Sequence, residues 1–74
     1  MNDSTLPPPR LIRISEVVRL TAVSRSQIYS LISQGRFPRP VRVSTRSARF
    51  VLVEVEGWIA DRIDESRRPK ARRP

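Results

Sequence analysis

Apolar and polar positions follow a helical period between residues 23 and 35. Ile28, Leu31 and Ile32 fall at i, i+3 and i+4, so one side of this segment is apolar and is predicted to pack inward. The opposite side carries small hydroxyls flanked by larger polar groups: Ser26, Ser30 and Ser33, with Arg25, Gln27 and Tyr29. The pattern predicts a helix with one buried face and one face suited to a groove of nucleic acid.

Both ends of this helix are marked in the sequence. Ser24 followed three residues later by Gln27 is the pattern of a capping box, which satisfies backbone N–H groups that the first turn leaves unpaired. Gly35 fits the position just after the last turn, where a left-handed conformation is common. A helix over residues 24–34 is therefore predicted.

A second, shorter helix is predicted before it. Ser15 is a suitable N-cap for residues 16–20, and Glu16 lies at the positive end of the helix dipole. Three side chains are predicted to face the core: Val17, Val18 and Leu20. Only residues 21–23 separate the two helices, which predicts a steep crossing and a helix-turn-helix. An ordinary helical hairpin is the alternative that these residues alone leave open.

Three β-prone runs flank the helix pair. Residues 11–14 are predicted to pair with a strand that follows the helices. Beyond the proline-containing residues 37–40, residues 41–44 alternate between apolar and polar. Residues 44–47 suit a hairpin tip, and residues 48–51 form the returning strand. The predicted fold class is mainly α with a small β-wing: a winged helix-turn-helix of three helices plus a short hairpin.

A third helix is predicted from about Val53. Its apolar face contains Val55, Trp58, Ile59 and Ile63. This company makes Trp58 a core anchor rather than a residue that stacks on a base. Gly57 inside the helix costs roughly 1 kcal/mol relative to Ala, which predicts close packing against a neighbouring element.

The chain is predicted to have three parts. Residues 1–10 contain Leu-Pro-Pro-Pro-Arg, which favours an extended leader, with a ligand for a proline-binding domain as the less favoured interpretation. Residues 11–63 form the patterned domain, and 74 residues in total leave room for one domain at most. Residues 64–74, a charge run with two prolines, are predicted to be a basic disordered tail.

Charge is distributed unevenly along the chain. The formal net charge is +8, and residues 10–49 hold nine Arg against the single Glu16. Residues 50–66, which contain most of the third helix, come to −4. Since the cationic part coincides with the helix pair, a polyanionic partner is favoured over an ordinary solvated surface.

Several classes of function are disfavoured by what the sequence lacks. There is no Cys and no His, so disulfides, zinc fingers and the usual general base are missing, and no enzyme, cofactor or metal is expected. No apolar run approaches the length of a membrane span or a signal peptide. The sequence therefore predicts a cytoplasmic protein with no membrane partner.

The wing contributes three candidate DNA contacts, Arg42, Arg46 and Arg49. In winged helix-turn-helix proteins the wing tip lies over the phosphate backbone or the minor groove, which favours Arg46 at the predicted tip. For Arg49, an ion pair with Glu54 or Glu56 is an equally good interpretation.

Residues 11–63 contain a series of short motifs: Leu11-Ile-Arg-Ile, Glu16-Val, Ser24-Arg-Ser-Gln-Ile-Tyr29, Gly35-Arg-Phe-Pro38, Pro40-Val, Arg49-Phe50 and Glu54-Val-Glu-Gly-Trp58-Ile. In this order they resemble the motifs of AlpA-type phage and prophage regulators. The resemblance implies a small winged or MerR-like helix-turn-helix fold, DNA as the partner, and a role in prophage gene control or in excision of integrated elements.

The sequence departs from this family pattern at three positions. Ala22 replaces a frequent Gly in the turn, which costs about 1 kcal/mol or more if the position is left-handed. Ser30 replaces a common Arg or Lys, so the recognition helix has one cation fewer. Val53 replaces a usual Ser N-cap, which weakens the predicted start of the third helix.

Two functions are predicted ahead of the others. The first is a sequence-specific DNA-binding transcriptional regulator, which acts on RNA polymerase at or near a promoter and binds as two or more copies on adjacent sites. The second is an excisionase-like architectural factor that bends DNA and directs an integrase. A protein adaptor that uses the proline-rich leader and an RNA-binding protein are weaker alternatives.

Overall fold

The computed structural model describes residues 9–68. The predictions for the leader and the tail lie outside this range for residues 1–8 and 69–74. Within it the chain forms three helices and three short strands. In chain order these are β1 Leu11–Ile12, α1 Ile14–Thr21, α2 Arg25–Ser33, β2 Val41–Ser44, β3 Ser47–Val51 and α3 Leu52–Arg67. The predicted class is confirmed, because these elements are compatible with a mainly α winged helix-turn-helix.

The three strands form one antiparallel sheet in the order β1-β3-β2. The predicted pairing of the first strand with a later one is confirmed, since Leu11 lies opposite Val51 and Ile12 opposite Phe50. Strands β2 and β3 form the hairpin, called the wing below, with a bulge between Arg42 and Ser44. The first strand thus ties the N-terminal side of the domain to the returning arm of the wing.

Among the described residues, the buried side chains of the core come from the three helices, from β3 and from the segment before the wing: Val17, Ile28, Val55, Phe50 and Phe37. Phe37, in the segment between α2 and the wing, lies between two aromatic rings. Its ring centroid is 6.0 Å from that of Phe50 and 4.9 Å from that of Trp58, both in edge-to-face geometry. Helix α2 is therefore anchored to the same core as the wing and α3.

Helix α1 begins earlier than predicted. Its N-cap is Arg13, which makes no side-chain cap, and Ser15 lies inside the first turn. The Arg13 carbonyl accepts the first-turn N–H groups of Glu16 and Val17, at 2.9 and 3.1 Å. The N-cap prediction for Ser15 was wrong because the strand ends at Ile12 and leaves a single residue to turn the chain.

The inner face of α1 is narrower than predicted. Val17 is fully buried and Val18 packs against the core, but Leu20 is 38% exposed. On a helix, a residue three positions after Val17 is turned by about 60° from it, so it is buried only where the partner surface is wide. Leu20 lies instead at the edge of the domain, so its placement in the core was wrong.

The turn between α1 and α2 is tightened by Thr21, which belongs to α1. Its hydroxyl donates to the Val17 carbonyl at 2.8 Å and accepts from the Val23 N–H at 3.1 Å. Ala22 follows with φ 60° and ψ 24°, so the left-handed conformation anticipated at this position is present. A side-chain Cβ in this region costs about 1–2 kcal/mol.

Helix α3 begins directly after the sheet and is longer than predicted. It starts at Leu52, with Val51 as an N-cap that makes no side-chain bond, so Val53 lies within the first turn and not at the cap. It runs past Ile63 to Arg67, which makes the prediction of a disordered tail wrong for residues 64–67. The remaining domain boundaries stay predictions.

The predicted apolar face of α3 is only partly buried. Val55 is fully buried, Trp58 and Ile59 pack against the core, and Ile63 is 48% exposed. A Cβ placed on Gly57 would meet no heavy atom within 4 Å. The prediction of close packing at Gly57 was therefore wrong, because this residue faces the open side of the helix.

Candidate nucleic-acid interface

The outward face of α2 is centred on three serines. Ile28 on the inner face is fully buried, whereas Ser26, Ser30 and Ser33 on the opposite face are exposed. The flanking candidates Arg25, Gln27 and Tyr29 are exposed as well, Tyr29 by 48%. The structure therefore brings the six predicted α2 residues to one accessible side of the helix.

Local hydrogen bonds fix both ends of α2. The Ser24 hydroxyl accepts the Gln27 N–H at 3.2 Å, which is the Ser half of the predicted capping box. At the other end Gly35 has φ 73°, its N–H donates to the Ile32 carbonyl at 3.0 Å, and the next N–H donates to the Leu31 carbonyl at 2.8 Å. These two bonds form a Schellman motif and confirm Gly35 as the residue that ends the helix.

A hydrogen bond that the sequence did not reveal joins the segment after α2 to α3. The Trp58 indole Nε1–H donates to the backbone carbonyl of Arg36 at 2.8 Å. Trp58 also packs on Phe37, and the Arg62 guanidinium lies 5.4 Å from its ring centroid. The segment that leaves α2 is therefore held by the long helix, and Trp58 positions the candidate interface as well as closing the core.

Hydrogen bonds on the outward face involve one residue that sequence reasoning missed. The Gln34 side-chain amide donates to the Ser30 hydroxyl oxygen at 3.1 Å. The Ser33 hydroxyl donates to the Ser30 carbonyl at 2.8 Å. The i, i+4 spacing of Ser30 and Gln34 was the only signal of this pair in the sequence.

The wing arginines differ in what their side chains contact. Arg42 donates from Nη1 to the Thr45 carbonyl at 3.1 Å, so it braces the hairpin turn. Arg49 donates to its neighbour, the Ala48 carbonyl, at 3.0 Å. Each of these two guanidinium groups retains N–H donors for other partners, because a guanidinium has five. Arg46 lies exposed in the turn between the two strands, where its backbone N–H donates to the Ser44 hydroxyl at 3.4 Å. Within residues 9–68, no hydrogen bond from its guanidinium is found.

The ion pairs found among residues 9–68 lie away from this face. They are Glu16–Arg19 in α1, Arg62–Glu65 in α3, and Asp64–Arg68 at the end of α3. The ion pair of Arg49 with Glu54 or Glu56 is therefore not formed, since Arg49 bonds to backbone instead. The hydrogen bond from Arg19 lowers the pKa of Glu16 below its ordinary range. Over the described residues, the cations of α2 and the wing are thus not neutralised by carboxylates.

Neither a metal-binding cluster nor a membrane-spanning helix occurs in the described residues. No group of three or more His, Cys, Asp or Glu side chains is placed to hold a metal ion there. None of the helices between residues 9 and 68 is long and apolar enough to cross a membrane.

Comparison with known proteins identifies the family. The sequence model of the prophage CP4-57 regulatory protein (AlpA) matches residues 10–63, which span α1, α2, the wing and most of α3. The chain belongs to the AlpA family. This confirms the resemblance drawn from the motifs.

A phage relative supports the assignment. The uncharacterised protein ORF88 of Enterobacteria phage P4 is 41% identical to this chain over 54 residues. The matched residues cover 73% of this chain and 61% of ORF88. The chain thus spans less than two thirds of the length of this relative. No solved structure matches the chain. AlpA membership places the chain in a family whose model is named for a prophage regulatory protein.

Proposed function

We propose that this protein is a sequence-specific transcriptional regulator of phage or prophage type, which acts in the cytoplasm on RNA polymerase at or near a promoter. The observation that carries the proposal is the outward face of α2, where hydroxyls, amides and an Arg are exposed opposite a fully buried Ile28. Such a helix offers hydrogen-bond donors and acceptors to base edges of the major groove.

The N-terminal half of α2 carries the base-reading side chains in this proposal. Arg25, Ser26 and Gln27 occupy its first turn, and the N-terminal residues of a recognition helix are those that reach base edges. Gln27 suits a bidentate contact to adenine, and Arg25 suits guanine or a phosphate. Tyr29 lies to one side of the serine row, where its hydroxyl reaches the sugar-phosphate backbone.

The wing supplies phosphate contacts. Arg46 lies in the turn of the hairpin and is the principal cation, because its guanidinium keeps its donors for DNA. Arg42 and Arg49 each give one bond to a backbone carbonyl and retain others for phosphate. The direct role of these three arginines is in affinity, whereas α2 determines the sequence.

More than one copy is needed for useful specificity. A single helix of nine residues contacts only a few base pairs and buries little surface. Two or more copies on adjacent sites multiply the specificity, so the target is expected to contain repeated half-sites.

The test is selection of bound sequences from randomised duplex DNA, followed by the salt dependence of binding to the selected site. A repeated motif is expected, with a steep salt slope. Gln27→Ala is expected to flatten the preference at one position of the motif. An unchanged motif in that variant would overturn the base-reading role of Gln27, and equal binding of all duplexes would overturn the proposal.

A charge-matched pair of variants tests the wing. Arg46→Ala is expected to weaken all sequences alike and to reduce the salt slope by roughly 1. Arg62→Ala removes the same charge from α3, outside the proposed interface, and is expected to leave the slope unchanged. Equal slopes in the two variants would remove Arg46 from the DNA contact.

The excisionase-like alternative uses the same DNA-binding surface. It differs in the partner, which is an integrase, and in the position of the sites, which are tandem repeats at an attachment site. Selected motifs mapped beside a promoter support the regulator. Motifs confined to attachment-site repeats support the architectural factor and would overturn the action on RNA polymerase.

A further inference from the structure

We propose that Arg36 binds a DNA phosphate at the rim of the major groove, beside the last turn of α2. The inference rests on the proposed function, since it assumes that α2 enters that groove. It adds a phosphate contact to those of the wing, and it assigns a residue in the segment between α2 and the wing.

The backbone of Arg36 is held on both sides. Its N–H donates to the Leu31 carbonyl in the last turn of α2 at 2.8 Å, and its carbonyl accepts the Trp58 indole N–H at 2.8 Å. The next residue, Phe37, is only 5% exposed and packs on the rings of Phe50 and Trp58. The Arg36 side chain therefore starts from a fixed point beside the end of α2, so little backbone freedom is lost when it binds.

The guanidinium of Arg36 is available to an external partner. The residue is exposed, and within residues 9–68 its side chain forms no hydrogen bond or ion pair. A guanidinium carries five N–H donors in a planar fork that matches the geometry of a phosphate. Binding a phosphate therefore breaks no interaction of this side chain within the described part of the protein.

Arg36 differs in its charged surroundings from the other unassigned arginines that precede the wing. Arg19 is paired with Glu16. The others line shallow clefts together with carboxylates: Arg10 and Arg13 with Glu16 and Glu56, and Arg39 with Glu54 and Asp61. Carboxylates repel a phosphate, so both clefts are unfavourable places for DNA. Arg36 lines neither cleft, which favours it as the phosphate contact.

The length of α2 places Arg36 at the level of the phosphates. A helix of nine residues is about 13 Å long, whereas the major groove is about 8.5 Å deep. When the first turn of α2 is at the base edges, as proposed, its last turn lies near the rim of the groove, where the sugar-phosphate backbone runs. Arg36 is bonded to that last turn, so its side chain starts at this rim.

A structural role is the competing interpretation, because a cation at the end of a helix also interacts favourably with the last carbonyl groups. That role predicts a lower melting temperature without DNA when the charge is removed. Arg36→Met removes the charge but keeps an aliphatic side chain, and Arg36→Lys keeps the charge. Arg39→Met is the matched control, since it removes the same charge from an exposed position three residues further along the segment.

The experiment measures binding of the full chain to the duplex selected by wild type, at several salt concentrations, and the melting temperature without DNA. Arg36→Met is expected to weaken binding by roughly 2- to 10-fold and to reduce the salt slope by roughly 0.9, the value for one phosphate. Arg36→Lys is expected to keep the wild-type slope, and Arg39→Met to change it much less than Arg36→Met. All three variants are expected to keep the melting temperature.

Duplexes in which a single phosphate is replaced by a neutral methylphosphonate identify the contact itself. At one phosphate beside the groove, this replacement is expected to weaken binding of wild type and Arg39→Met but not of Arg36→Met. The inference would be overturned, with the proposed function intact, if wild type and Arg36→Met responded alike at every phosphate. It would equally be overturned if Arg36→Met lowered the melting temperature and left the slope unchanged. Absence of any selected motif in the wild type would overturn both.

Discussion

Helix α2 is closed at both ends by hydrogen bonds from its own neighbours, whereas helix α3 begins without a side-chain cap and carries an exposed glycine. The cap of α2 is the Ser24 hydroxyl, and its end is the Schellman motif at Gly35. The cap position of α3 is Val51, which offers only its backbone. The shorter helix, α2, therefore has more hydrogen bonds that define its ends.

The difference corresponds to the length of each helix and to the role proposed for α2. Nine residues are too few for a stable isolated helix, and an interface helix must also hold its side chains at fixed positions. Local bonds at its ends meet both needs without covering the outward face. Helix α3 has 16 residues and is held by burial of Val55 and packing of Trp58 and Ile59, so its ends require less definition.

The largest expected effect comes from removing the core contact of α2. Ile28→Ala is expected to reduce the free energy of unfolding by about 3 kcal/mol, because a fully buried side chain leaves a cavity. In a domain this small, that loss is most of the total stability. Urea unfolding followed by far-ultraviolet circular dichroism measures it.

Ile63→Ala on α3 is the matched control for that variant. Ile63 is 48% exposed, so its truncation is expected to change the free energy of unfolding by no more than about 0.5 kcal/mol. A loss at Ile63 as large as that at Ile28 would show that the second half of α3 is covered in solution. The contrast between the two helices would then fail.

The second effect tests the bond that joins the two helices. Trp58→Phe keeps an aromatic ring against Phe37 but removes the indole donor to the Arg36 carbonyl, and is expected to cost about 1–2 kcal/mol. Unfolding followed by circular dichroism measures the cost, since the variant has no Trp fluorescence. Faster amide hydrogen exchange is expected at Gly35 and Arg36 but not in the first turn of α2.

Arg62→Met controls for loss of packing around the same ring. It removes the cation above the Trp58 ring but keeps an aliphatic chain, and is expected to change hydrogen exchange at Gly35 and Arg36 little. If the two variants were equivalent in exchange, the indole hydrogen bond would not be what holds the end of α2.

The third effect uses the same substitution at the two glycines of the chain. Gly57→Ala is expected to stabilise by about 1 kcal/mol, because α3 gains helix propensity and the added Cβ meets open space. Gly35→Ala is expected to destabilise by about 1 kcal/mol, because its φ of 73° is unfavourable for an L side chain. Thermal melting under identical conditions gives both signs. Two shifts of the same sign would contradict the contrast between a propensity-limited α3 and an end-capped α2.

Local signals explain which parts of the fold the sequence predicted well. The bounds of α2 depend on Ser24, Gln27 and Gly35, which lie within or next to the helix. The start of α3 was wrong because the sheet runs into the helix without a loop, so no turn or cap residue marks the boundary. The predicted start of α1 was wrong for a similar reason, because a single residue joins α1 to β1.

The sequence predicted which helix face carries the candidate site, but it did not predict the hydrogen bonds around that site. Helical periodicity places Ser26, Ser30 and Ser33 on one side whatever the rest of the chain does. The bond from Trp58 to the Arg36 carbonyl joins residues 22 apart, and it depends on how α3 crosses the end of α2. Whether Arg49 bonds to a glutamate carboxylate or to the Ala48 carbonyl likewise depends on where the folded chain places these side chains.

The smallest expected effect concerns the exposed Glu16–Arg19 pair of α1, which serves as the reference for a surface interaction. Because the pKa of Glu16 is lowered in the folded state, chiefly by its hydrogen bond from Arg19, the pair stabilises the fold above the ordinary pKa of a glutamate. This contribution is lost as pH falls through the lowered value. The melting temperature of wild type is therefore expected to exceed that of Glu16→Gln slightly near neutral pH, and the difference to vanish once the pH has fallen below the lowered pKa of Glu16. Added salt is expected to shrink the difference at the higher pH, because both groups are exposed to solvent. A difference that persisted at low pH would mean that Glu16 stabilises α1 by something other than its charge, and the pair would no longer serve as a surface reference for the buried contacts of α2 and α3.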